Sequence, residues 1–147
     1  MMAVLIRVLA AAVFGLLGGG LCLLALQVFP GFALALQDVE LPTVTACVAG
    51  GVIGWFLVAG PTGVPTPLRG AAAGAVAAVI ADPLAVAFVS LAADKTQTEP
   101  LSAAGFLVLS AVGLVETGPV SLPVAVLTGA FYALLLGLLL RDRLRGR

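Results

Sequence analysis

Histidine is absent from this sequence. Its absence removes the commonest metal ligand and general base, and the usual protein ligand of haem iron. Charge is scarce, because Asp, Glu, Lys and Arg make up 10% of the chain, and seven basic residues balance seven acidic ones. Nucleic acid therefore has no electrostatic claim on it as a partner. The only two cysteines, Cys22 and Cys47, both lie inside apolar runs. A thiol there behaves as a small hydrophobe, so neither a disulfide framework nor a zinc cluster is indicated. No phosphate loop, nucleophile with its base or metal-ligand spacing is found, so no enzyme activity, metal or cofactor is expected.

What the chain has in abundance is apolar surface, with 62% of its 147 residues hydrophobic. Soluble domains average roughly half apolar and a quarter charged. A chain of this composition is expected to dissolve in lipid, where each backbone polar group must be satisfied internally and helices are the simplest solution. The expected fold is all-α: residues 1–147 form a single transmembrane domain, a bundle of four transmembrane helices.

The first apolar run follows Arg7 and closes at Gln27 and Pro30, giving a span over 5–27. A cleaved signal peptide is the rival reading of this segment, and the bulky Leu21 ahead of Cys22 disfavours a lipidated cysteine. A second span covers 43–60 and ends in the turn signal of Pro61, Gly63, Pro65 and Pro67. A third covers 69–93, interrupted only by Asp82-Pro83, before the polar stretch from Asp94 to Pro100. The remaining apolar stretch, Leu101 to Leu140, contains Glu116, Gly118, Pro119 and Pro123. It is expected to divide there into a last span over 120–140 and a short interfacial or re-entrant helix over 101–115, whose fifteen residues give only about 22 Å of rise against a ~30 Å hydrocarbon core.

Charge placement sets the orientation. Four crossings gather Arg7, Arg69, Arg141, Arg143, Arg145 and Arg147 on one side and leave Lys95 on the other. By the positive-inside rule both termini are then cytoplasmic. Glu116 is expected near the outer headgroups.

Helices in lipid associate by close backbone approach at small residues spaced four apart. Such residues are Gly15 and Gly19 in the first span, Gly50 and Gly54 in the second, Gly70, Gly74 and Ala78 in the third, and Gly129 and Gly137 in the fourth. They serve intramolecular packing or an interface in a homo-oligomer or larger complex. Asp82 continues the third stripe and is the candidate intramembrane polar site, with Thr128 and Tyr132 of the last span placed at similar depth. It either caps the helix break that Pro83 imposes or bonds across helices, or else it holds a proton or cation. Trp55 and Phe56, near the expected cytoplasmic end of the second span, read as interfacial anchors.

The layout resembles the tellurite-resistance-associated TrgA family of small alphaproteobacterial membrane proteins. The resemblance is carried by Phe29-Pro30-Gly31 after the first span, Gly54-Trp55 near the end of the second, Glu99-Pro100 before the segment preceding the last span, and the arginine-rich end. It implies a bacterial inner-membrane location and an association with oxyanion stress. The expected function is thus a non-enzymatic accessory or stress-associated membrane protein that acts through helix packing, with the lipid bilayer and a larger membrane complex as partners. The alternative is a small transporter or channel that uses Asp82.

Overall fold

The computed structural model describes residues 2–28, 40–58, 65–93 and 102–145. Nearly all of them lie in four helices: α1 (Met2–Val28), α2 (Glu40–Val58), α3 (Pro67–Ala93) and α4 (Ala103–Arg145). Each is long and apolar enough to cross a membrane. The protein is an all-α, multi-pass membrane bundle.

Local chemistry sets where the helices start. Glu40 places a carboxylate in the first turn of α2, where the helix dipole favours it. Thr66 caps α3: its hydroxyl accepts from the Arg69 amide at 3.3 Å and its carbonyl from the Gly70 amide at 3.0 Å, while Pro67 holds the first helical position. Ser102 does the same for α4, accepting from the Gly105 amide at 3.1 Å and, through its carbonyl, from the Phe106 amide at 2.9 Å.

The packing inverts the soluble pattern. Most of the buried hydrophobic residues are alanines, joined by Phe14, Leu26 and Trp55, whereas large side chains such as Leu16, Leu24, Leu91 and Leu127 face outward. Lipid tails are as apolar as leucine, so burying leucine gains little and small residues take the seams. Gly51 of α2 lies on the Gly15 backbone of α1. On the other side of α2, Gly50 and Gly54 abut Ala73, Ala77 and Ala81 of α3. Gly70 and Gly74 of α3 meet Gly129 and Ala125 of α4 through bare backbone. These pairs fix the order α1, α2, α3, α4 with alternating direction. Arg7, Arg69 and the end of α4 therefore share one end of the bundle. Ala78 of the same α3 stripe is buried as well.

The long C-terminal stretch corrects the sequence reading. Over the described residues, from Ala103, it does not form a separate interfacial or re-entrant helix followed by a span over 120–140; α4 runs unbroken for 43 residues with Pro119 and Pro123 inside it. Each proline deletes one amide donor, yet its fixed φ is already helical. In lipid no water rewards opening the backbone, so the helix continues through both. The fifteen-residue segment need not cross alone, because it is the upper part of a longer helix, and the number of crossings stays at four. Pro83 likewise lies inside an unbroken α3. At its other end α4 passes the first turn of α3 at Ala133 and continues alongside the first turns of α1, with Leu136 packed against the core.

Candidate functional site

Asp82 sits near the middle of α3, half-buried, on the same face as Gly70 and Gly74 and turned toward α4. The helix is continuous there, so the carboxylate caps no free helix end. Its partner is Thr117 of α4, whose hydroxyl lies 3.4 Å from each carboxylate oxygen. The same hydroxyl stands 3.0 Å from the Gly113 carbonyl one turn back. One proton cannot serve both acceptors fully, and the shorter contact holds the larger share. Asp82 is thus tied across the seam by a long, shared hydrogen bond, and among the described residues no basic side chain reaches it.

Thr128 and Tyr132 are not its partners. They lie eleven and fifteen residues beyond Thr117 on α4, roughly 16 and 22 Å along the axis. Taking 120–140 as the last span centred it too far toward the C-terminus; the stretch beside α3 is centred close to Pro119. Tyr132 has another role. Its hydroxyl donates to the Ala10 carbonyl at 2.9 Å, and its ring packs on Phe14 (5.6 Å between centroids) and Trp55 (4.8 Å). This contact ties α1 to α4 at the Arg7 end of the bundle.

Trp55 corrects a second expectation. It is 1% exposed and packed 5.0 Å from Phe14, so it fills the core and does not anchor in headgroups. Phe56, next to it, is exposed and does meet a cation: the Arg7 guanidinium lies 5.4 Å over its ring and donates to its carbonyl at 3.2 Å. The thiols of Cys22 and Cys47 sit against one another across the α1–α2 seam. Phe29, Phe32 and Lys95 lie outside the described residues.

Two residues of this region went unrecognised as site residues. Thr117 is one, and Glu116 is the other. Glu116 is one residue from the Asp82 partner, so it stands level with Asp82 near mid-span and not at the outer headgroups. It is exposed and bonds to no described residue. The sequence carried a signal for Thr117: Gly113, Thr117, Ser121, Ala125, Gly129, Ala133 and Gly137 form one unbroken small-residue stripe at spacing four. That stripe crosses the prolines and mirrors Gly70, Gly74, Ala78 and Asp82. An acidic side chain at the centre of a span costs roughly 2.5 to 3.5 kcal/mol on insertion scales. Two at one depth mark this level as the chemically distinctive one.

The Asp82 geometry yields a graded expectation. Asp82→Asn keeps an acceptor for Thr117 and should unfold in detergent within about 0.5 kcal/mol of the parent, whereas Asp82→Leu should cost about 1 kcal/mol, the scale of an interhelical hydrogen bond in membranes. The modest size follows from Thr117 retaining the Gly113 carbonyl. Chemical unfolding of the three proteins in mild detergent measures the difference, and a loss of several kcal/mol in Asp82→Asn would show that the charge itself holds the fold.

No family model matches the sequence, and no curated protein or solved structure matches it either.

Proposed function

We propose that this chain is a non-enzymatic accessory subunit of the inner membrane of a bacterial cell, with both termini in the cytoplasm, acting by packing against a larger membrane protein. The observation that carries this reading is α4, the least enclosed of the four helices, which presents exposed Leu134, Leu135, Leu138 and Leu139. The interior seams, by contrast, are closed by backbone contact between glycines and alanines. The seam glycines and alanines are already engaged within the bundle, so a partner would meet the large outward side chains, and α4 offers the most open of these faces. The layout resemblance to the TrgA family adds oxyanion stress as the physiological setting.

A second reading, a small proton or cation carrier, has one observation in its favour: Asp82 and Glu116 share a depth and flank Thr117. The two readings separate on reconstitution. The accessory reading expects a stoichiometric partner to co-migrate from mildly solubilised native membranes and no flux in vesicles; a flux that Asp82→Asn abolishes without unfolding sinks it. Orientation is checked independently in a background lacking Cys22 and Cys47. Ser102→Cys should react with an impermeant maleimide in intact cells, and Arg145→Cys only after lysis; the reverse pattern would invert the topology.

A further inference from the structure

From the outer face of α4 we infer that the chain docks one transmembrane helix of a different protein, and that this helix presents a lysine or arginine at mid-membrane depth against Glu116. The inference rests on the accessory reading and names the chemistry of the partner. Glu116 stands exposed on a surface otherwise apolar, level with the middle of α3. It is flanked by a shallow groove lined by Ala111, Val112 and Val115. Through Val115 that groove continues into a second one, past Pro119 to Pro123, for a total of roughly 18 Å of helix. This nearly flat face is long enough to seat the middle turns of a crossing helix.

The backbone groups that the prolines leave open in that seat are acceptors. In an α-helix the carbonyl of residue i takes the amide proton of residue i+4. The residue four beyond Val115 is Pro119, and the residue four beyond Pro119 is Pro123, so neither carbonyl has that donor. Between them Glu116, as a carboxylate paired with a cation, would add two acceptor oxygens and a negative charge. A row of acceptors with no donor is complementary to a side chain that only donates, which is lysine or arginine.

A second copy of the chain does not supply such a group. Copies inserted in the same orientation meet at equal depth, which brings Glu116 to Glu116, like against like. The basic residues Arg7 and Arg69 lie at one end of the bundle, with Arg69 roughly 20 Å along α3 from the level of Asp82. Among the described residues none stands at the Glu116 level.

The test uses the full-length chain, donor-labelled, in phosphatidylcholine vesicles with acceptor-labelled synthetic transmembrane helices of leucine and alanine. These helices are identical except for a central lysine or a central leucine. Energy transfer should show the lysine helix binding at least tenfold more tightly. Glu116→Gln and Glu116→Leu should each reduce that preference to less than twofold, whereas Glu40→Gln, a charge change at the end of the bundle, should leave it intact. Glu116 is exposed, and retained helical circular dichroism in the Gln variant confirms that folding is not the cause. Equal binding of the two helices, a preference that survives both Glu116 substitutions, or self-association through Glu116 that the lysine helix fails to displace would each overturn the inference. If a stoichiometric partner still co-migrates from native membranes, those outcomes reject this docking mode and leave the accessory role standing.

Discussion

Gly74→Ala should destabilise the bundle by about 2 kcal/mol or more, the upper part of the range for overpacking a closed site, while Gly20→Ala should stabilise it by about 0.5 to 1 kcal/mol. The two substitutions add the same methyl group and recover the same helix propensity, so their difference isolates packing. A Cβ on Gly74 would collide with the Ala125 carbonyl and its carbonyl carbon. Those are backbone atoms of α4, which cannot rotate away as a side chain can. A Cβ on Gly20 meets nothing within 4 Å. The unfolding free energies of the two variants in one detergent measure the contrast; equal effects would mean that α3 and α4 do not approach at Gly74.

Trp55→Ala should be the most damaging single truncation, at about 3 kcal/mol, the range for removing a large aromatic and leaving a cavity. In lipid the transfer of indole to another apolar medium contributes little, so the loss is one of packing. Trp55 is the largest fully buried side chain and touches the rings of both Phe14 and Tyr132. It therefore joins α1, α2 and α4 around one point. Trp55→Phe should recover part of the loss, since ring contacts are worth about 0.5 to 1.5 kcal/mol each. Intrinsic tryptophan fluorescence offers a direct check on the parent: this one indole should be shielded from a water-soluble quencher, and free quenching would place it at the interface.

The number of spans and their alternation were legible in the sequence because hydropathy and arginine placement report them directly. Gly15, Gly50, Gly54, Gly70, Gly74 and Gly129 were legible as packing residues, since only small side chains permit the backbone approach that holds helices together in lipid. The extent of α4 was not. Pro119 and Pro123 read as breaks by the rules of water, where a released carbonyl finds a solvent donor, and lipid removes that option. Misplacing the last span shifted its centre toward the C-terminus, which paired Asp82 with Thr128 and Tyr132 in place of Thr117 and moved Glu116 to the headgroups. Trp55 was misread for a different reason. Aromatic residues at the end of a span are ordinarily interfacial, and nothing local reveals that Phe14 and Tyr132 close over this one.

The central claim is that α4 crosses beside α3 as one helix and carries Glu116 to mid-membrane depth on an outward face. Spin-label accessibility at position 116 tests it most directly, using Glu116→Cys in a background of Cys22→Ala and Cys47→Ala reconstituted in lipid. High collision with dissolved oxygen and low collision with a water-soluble nickel chelate are expected, the signature of the hydrocarbon centre. The chelate dominating at this position, as it would for a label in the headgroups, would restore an interfacial segment and contradict the account.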